Sequence, residues 1–406
     1  MSLRLGGTSR AALVAVALWA FGLAACAGDD RSQAGQVPTR GGAQAPAGEE
    51  DQGRKTVSAY GMQAWLGTQL RGPDFRLLRD SGAGLFRFNL LTTSRDDRGP
   101  PAIPTYDAVI QAAVEQRVEL LPVLMRTRPK DRSPAEQVAA PPEGRAQHAE
   151  WRRRVRLLAE RYGPRGSFWR ERPRLPYRPI RMWEVWNEPN LPQFWDYRPT
   201  NPSEYGRLLR ETREVLRSVD RGARIISGGL ASRHSGGPYL GAALDAAGPC
   251  SVDAISIHPY APTVERAMGH LAEARSVADS RGLRDVALWT TEIGWRVGEG
   301  GAGDLELGYS EVETPAAQAR ALDGFFAATT RRRRELRLGP TFAFALRDRV
   351  NPDTGEVDSK SGLRHAEAGV GGAFALGQGG AAATVAQAAS LPPLAQPLKR
   401  RARVSA

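Results

Sequence analysis

Cysteine is nearly missing from this 406-residue chain, with Cys26 and Cys250 as its only two. Two thiols cannot build a disulfide framework, and five histidines without a close Cys/His grouping give no zinc-ligand spacing. A disulfide-stapled scaffold and a zinc finger are both excluded. Lysine is also scarce: Lys55, Lys130, Lys360 and Lys399 are four of 56 basic residues, so arginine carries the formal net charge of +12. Arginine, alanine, glycine and proline are abundant together, which reflects GC-rich coding as readily as selection for an anionic partner. Neither Gly-x-Ser-x-Gly nor His-Glu-x-x-His occurs, removing the usual esterase and zinc-protease signals. What is present is ordinary globular composition, 41% hydrophobic and 25% charged, which excludes wholesale disorder.

The N-terminus reads as a targeting segment. Arg4 and Arg10 precede an apolar run, Ala11–Leu23, that is too short for the ~20 residues of a membrane span. It ends in Leu23-Ala24-Ala25-Cys26, which resembles the lipobox of bacterial lipoproteins, in which the cysteine is lipidated. The expectation is export, with a lipid anchor at Cys26 holding the protein on the membrane surface; the alternative is an ordinary cleaved signal and a secreted protein. Residues 1–26 are then the signal, 27–54 a flexible Gly/Ala/Gln/Pro-rich linker, 55–366 the folded domain and 367–406 a low-complexity tail. An acylated Cys26 would leave Cys250 alone, so no intrachain disulfide is expected.

Between Thr56 and Leu346 short β-rich runs alternate with longer amphipathic stretches. The strands are expected at Thr56–Met62, Leu85–Phe88, Glu119–Leu124, Ile180–Val185, Arg224–Gly228, Ala254–His258, Val286–Thr291 and Thr341–Leu346. Helices fall between them at Asp74–Asp80, Tyr106–Gln116, Gln147–Tyr162, Pro202–Val219, Tyr239–Ala247, Val264–Arg281 and Thr314–Arg334. Eight strands in one alternating series suit a single-domain α/β fold, a (β/α)₈ TIM barrel, although a doubly wound open sheet has the same periodicity. After Leu346 no clear eighth helix follows, apart from a weak candidate at Ala381–Ser390.

Two motifs carry chemistry. Trp183-Glu-Val-Trp186-Asn187-Glu188-Pro189-Asn190 ends a β-run on a neighbouring amide and carboxyl, and Leu288-Trp-Thr-Thr-Glu292-Ile-Gly-Trp295 ends another on a second glutamate. Two carboxylates on separate strand ends are what glycoside hydrolysis uses: one protonates the leaving oxygen while the other attacks or stabilises the anomeric carbon. A cation or phenol beside Glu292 would keep it ionised, while burial and like charge would raise Glu188.

Trp186-Asn187-Glu188-Pro189 and Thr291-Glu292-Ile293-Gly294-Trp295 resemble the signatures of clan A retaining glycoside hydrolases, a (β/α)₈ clan that includes cellulase, mannanase, xylosidase and arabinofuranosidase families. The resemblance covers roughly Tyr60 to Asp348. It implies that Glu188 is the acid/base, Glu292 the nucleophile, and Asn187 a partner of the sugar 2-hydroxyl. His258-Pro259-Tyr260 resembles the clan's His-x-Tyr element, whose tyrosine bonds the nucleophile, and Arg87 falls where the clan often places an arginine near that carboxylate. Trp65, Trp186 and Trp295 are candidate sugar-stacking residues. The eighth strand lacks the tryptophan several clan families carry; Phe344 or Trp295 would replace it. Glu184 is the nearest rival acid, but alternation puts it deeper in the barrel as a structural carboxylate.

No cofactor and no metal is called for; water completes the turnover. The expected partners are a glycan substrate and, through Cys26, a membrane, with no nucleic acid. Arg152–Arg154 and Arg331–Arg334 read as solvated helix faces, the second suited to an anionic cell-envelope polymer. Gly298–Gly303 matches a dinucleotide fingerprint by letter but leads into no helix, so it reads as a loop over the cleft. A non-catalytic glycan-binding lipoprotein with a degenerate barrel is the alternative function.

Overall fold

The computed structural model describes residues 59–64, 70–93, 101–130, 133–232, 236–298, 310–346, 349–350 and 357–359. Eight parallel strands close into a barrel: β1 (Tyr60–Gln63), β2 (Leu85–Leu91), β3 (Glu119–Met125), β4 (Met182–Asn187), β5 (Arg224–Ala231), β6 (Ala254–His258), β7 (Ala287–Ile293) and β8 (Leu338–Phe344). Consecutive strands are neighbours, and closure comes from β1 pairing with both β2 and β8. Seven helices follow the first seven strands: α1 (Gly72–Asp80), α2 (Ile103–Glu115), α3 (Gly144–Tyr162), α4 (Pro202–Val219), α5 (Gly236–Ala247), α6 (Val264–Asp279) and α7 (Pro315–Arg331). The closed topology decides between the barrel and the open sheet.

Local chemistry explains the helix starts. Asn201 caps α4 by accepting from the Ser203 and Glu204 amides at 3.0 and 3.2 Å, with Pro202 in the first turn. Thr263 and Thr314 cap α6 and α7 in the same way.

Period-two alternation sorts the strand residues into two faces. Outward side chains join one large core with the helices. Leu85, Leu121, Met182, Ile226, Ala254, Trp289 and Phe342, one from each of seven strands, form a separate apolar cluster. Two residues further along several of these strands stand Arg87, Glu184, Ser256 and Thr291, all buried and hydrogen-bonded to one another, so the barrel interior carries a polar layer above an apolar plug. Such layering positions a site at the C-terminal ends of the strands.

Several features depart from the expected pattern. An antiparallel hairpin (Thr127–Lys130 with Ser133–Ala139), a short helix (Ser167–Glu171) and a parallel pair (Trp295–Val297 with Ser310–Val312) occupy segments read as loops. Arg154 belongs to no solvated face: it is 8% exposed, and its guanidinium donates to the Thr92 carbonyl at 3.1 Å. The signal, the linker, Cys26, Trp65, residues 299–303 of the glycine-rich loop and the tail 367–406, with its segment Ala381–Ser390, lie outside the described residues. No helix among the described residues is long and apolar enough to cross a membrane.

Candidate active site

Arg87 organises the floor. Its side chain is fully buried and forks onto Glu184, Nε to Oε2 at 2.7 Å and Nη2 to Oε1 at 2.9 Å. Nη2 also donates to Asn187 Oδ1 at 2.7 Å, and Nη1 donates to Gln63 Oε1 and to Glu292 Oε1. One cation thus binds residues from β1, β4 and β7 across the barrel. Bidentate geometry of this kind is specific to a guanidinium.

Above it, the ends of β4 and β7 bring Glu188 and Glu292 together. A carboxylate oxygen of each and a ring nitrogen of His258 lie within 4.8 Å of one another. Trp186 (φ 75°) and Glu188 (φ 40°) both adopt left-handed backbone, uncommon for residues with a Cβ and typical of functional sites. Surrounding structure holds that conformation. The Glu188 amide donates to Gly229 O at 3.0 Å, Asn190 brackets Ala231 through both its amide atoms at 2.7 and 3.1 Å, and Tyr239 donates to Pro189 O at 2.9 Å. From α4, the Tyr205 hydroxyl accepts from the Gly228 amide and donates to Val185 O, clamping β4 to β5.

The two carboxyls have different neighbours. Tyr260 donates to Glu292 Oε2 at 3.0 Å and Arg87 to its other oxygen, whereas Glu188 meets His258 Nδ1 at 2.9 Å. Burial raises Glu188 well above the usual carboxylate range, and the charge of Glu292 adds to this against the pull of Arg87. Burial also raises Glu292, although Arg87 and Tyr260 oppose it. The expectation of a simply ionised Glu292 is therefore corrected in part: dehydration outweighs its donors, and both carboxyls are raised.

Hydrogen-bond bookkeeping puts the proton on Glu188. His258 is fully buried, and burial followed by the charge of Arg87 depresses it well below its ordinary range, so the ring is neutral. Thr291 donates to Glu184 Oε1 at 3.0 Å and so must accept from His258 Nε2 at 3.0 Å. His258 Nδ1 is then an acceptor, and Glu188 must supply the hydrogen between them. One guanidinium facing three buried carboxyls leads to the same conclusion, because unpaired buried charge is expensive.

Native Glu188 keeps its proton to a higher pH than the unfolded chain does, so stability falls as pH rises from the ordinary carboxylate range to the raised native value, then levels off. Glu188→Gln removes this penalty. The variant is expected to be more stable than wild type at neutral pH by on the order of 1 kcal/mol, with the gap closing toward pH 4. Thermal melts across that range test it; a gap that widens on acidification would refute the assignment.

The remaining predicted site residues separate by burial. Asn187 and Tyr260, 6% and 4% exposed, sit beside the carboxyl pair. Arg87 and His258 are fully buried, which makes them positioning residues under the carboxyls and corrects their reading as substrate contacts. Trp186 and Trp295 are likewise packing residues. Trp186 lies between Trp151 and Trp195 with its N–H on Phe194 O at 2.8 Å, and Trp295 packs on Phe325 of α7. Glu184 is the structural carboxylate that alternation implied. Gln63, Asn190, Ser256 and Thr291 were not anticipated; Ser256 and Thr291 stand two residues before His258 and two after Trp289, the one signal that could have found them.

Glu188, His258 and Glu292 could together offer three ligand atoms to a metal ion. The Arg87 guanidinium on Glu292 already supplies the positive charge such an ion would bring.

Residues 178–311, which span β4 to β7 and both glutamates, match the family model described as Glycosyl hydrolase catalytic core. No curated protein matches the sequence. Among solved structures, a family 39 glycoside hydrolase from Bacteroides cellulosilyticus WH2 superposes with a TM-score of 0.50 at 19% identity, over 76% of this chain and 60% of its own. A monomeric β-xylosidase from Caulobacter crescentus CB15 gives 0.54 at 16%, over 76% and 64%. A family 51 α-L-arabinofuranosidase from Bifidobacterium longum gives 0.51 at 13%, over 73% and 69%. The fold is shared. The chain spans less than two thirds of the first two relatives' length.

Proposed function

We propose that this protein is a retaining glycoside hydrolase acting on an extracytoplasmic glycan. The observation that carries the reading is the pair Glu188–Glu292, with carboxylate oxygens within 4.8 Å at the ends of two barrel strands. Carboxyls ~5–5.5 Å apart suit attack by one of them on the anomeric carbon, whereas ~6.5–9.5 Å leaves room for a water and inversion. In the first step Glu292, held by Arg87 and Tyr260, attacks the anomeric carbon as Glu188 gives its proton to the leaving oxygen. In the second, Glu188 takes a proton from a water that attacks the anomeric carbon and displaces the Glu292 carboxylate, which releases the sugar with its original configuration. Asn187, oriented by Arg87, is placed to bond the hydroxyl next to the reacting carbon. The matched catalytic-core model supports the same reading.

A 2-deoxy-2-fluoro glycoside with a good leaving group should accumulate a covalent adduct on Glu292, located by peptide mass spectrometry. No adduct and no turnover across a broad aryl-glycoside panel would sink the proposal. Gly229→Ala tests the support of the acid: a methyl there would lie 1.9 Å from His258 Nε2, so the ring that accepts the Glu188 proton must move. Turnover should fall ~10²-fold, the scale of a 1 Å misplacement.

We further propose that the protein is exported and anchored through a lipidated Cys26. The mass of the N-terminal peptide from membranes tests this: a diacylglyceryl adduct supports the anchor, and an unmodified Cys26 refutes it.

A further inference from the structure

We propose that the N-terminal face of the barrel, opposite the carboxyl pair, docks on an anionic lipid surface and turns the candidate active site away from it. The seven connections that lead from a helix into the next strand meet on this face, at residues 81–84, 116–118, 163–181, 220–223, 248–253, 280–286 and 332–337. They hold 14 arginines, no lysine and five carboxylates, a net +9 against +12 for the whole chain. GC-rich coding raises arginine everywhere and does not sort it by face. At the opposite rim, the connection from β7 to α7, residues 294–314, holds five carboxylates and one arginine.

The charge is not neutralised internally. Each of the five carboxylates already has its cation: Glu171 pairs with Arg161 and Arg172, Asp220 with Arg181, Asp253 with Arg217, Asp285 with Arg337 and Glu335 with Arg332. Arg165, Arg174, Arg221, Arg284, Arg333 and Arg334 are exposed and have no ion-pair partner among the described residues. Basic side chains gathered in this way are drawn to negative headgroups, each strengthening the partition roughly fivefold.

Two observations favour lipid over a soluble polyanion. Tyr177 is 60% exposed between Arg174 and Arg178, edge-on to Trp169 at 5.7 Å, and its hydroxyl accepts from the Arg165 amide at 3.3 Å. A ring with an apolar body and a polar tip suits the headgroup level of a bilayer. The second observation is connectivity. The described chain starts at Ala59, beside the N-terminal end of β1, so the preceding segment joins the barrel on this face. A chain held at Cys26 would bring the same face to the membrane, and for that point alone the proposal rests on the anchor.

Co-sedimentation of the full chain carrying Cys26→Ser, which cannot be acylated, tests the face separately from the anchor. Vesicles of phosphatidylglycerol and phosphatidylcholine in equal parts should bind it at least roughly tenfold more tightly than phosphatidylcholine alone, with the difference shrinking as salt is raised. Arg165→Gln with Arg174→Gln, and separately Arg333→Gln with Arg334→Gln, should each weaken that binding by roughly 20-fold. Removing the same charge on the site side, from the exposed Arg145 and Arg207 at the N-terminal ends of α3 and α4, should have a much smaller effect. Tyr177→Ser should weaken binding to the anionic vesicles. The two arginine pairs lie on separate loops, so either keeps the test valid if the other perturbs folding. Equal binding to the two kinds of vesicle, unaltered binding in both arginine pairs, an equal loss through Arg145→Gln with Arg207→Gln, or unchanged vesicle binding in Tyr177→Ser would each overturn the proposal, the last by pointing to a soluble polyanion.

Discussion

Glu292→Gln should abolish turnover by on the order of 10⁴-fold or more, on every substrate regardless of its leaving group. The amide keeps a partner for Tyr260 and Arg87 but cannot form the glycosyl bond, so the first step has no nucleophile. Glu188→Gln should behave differently. It loses proton delivery, worth ~10²–10⁴-fold, and the loss should be greatest for poor leaving groups and nearly vanish in the first step for dinitrophenyl-type aglycones that need no proton. A Brønsted series on wild type and both variants reads the contrast directly. Equal, leaving-group-independent losses in the two variants would mean that the geometry has been assigned the wrong roles.

Arg87→Met is expected to destabilise the fold by ~3–5 kcal/mol at neutral pH, the scale of removing one member of a buried ion pair. Glu184 and Glu292 would both lose the guanidinium that makes their burial tolerable, and Asn187 and Gln63 would lose a donor. Urea unfolding should show the deficit shrinking as the pH falls, because protonating the orphaned carboxyls removes their charge. Adding Glu184→Gln should recover part of the loss, since the two sites are directly coupled. A change within about 1 kcal/mol in Arg87→Met would show that the cluster is held by something other than this cation. Burial alone would lower the guanidinium pKa, but Glu184 and Glu292 more than reverse that, so Arg87 stays charged throughout the accessible range.

Much of this arrangement could be read before any coordinates. The strand at Ala254–His258 and the helix at Pro202–Val219 were placed with the observed bounds, because alternation and a capped, proline-started amphipathic run are local signals. The carboxyl pair was legible for the same reason: each glutamate ends a β-run. The hairpin Thr127–Ala139 and the pairing of Trp295–Val297 with Ser310–Val312 were not, since their partners are chosen by geometry at the barrel rim and not by periodicity. The tryptophans show the limit most clearly. A tryptophan at a strand end suits a sugar face or a helix interface equally well, and the left-handed turn at Trp186 sends its ring back among Trp151 and Trp195.

The sequence by itself determined the succession of strands and helices, the interior register and the two acids at strand ends, all properties of neighbours along the chain. Only the tertiary structure decided that the sheet closes, that Arg87 on β2 serves carboxylates from β4 and β7, and that His258 faces Glu188 through one nitrogen and Thr291 through the other. Those contacts join residues up to 205 positions apart. Their energies come from shared burial in one dehydrated layer, and burial is a property of the assembled barrel that no stretch of chain carries alone.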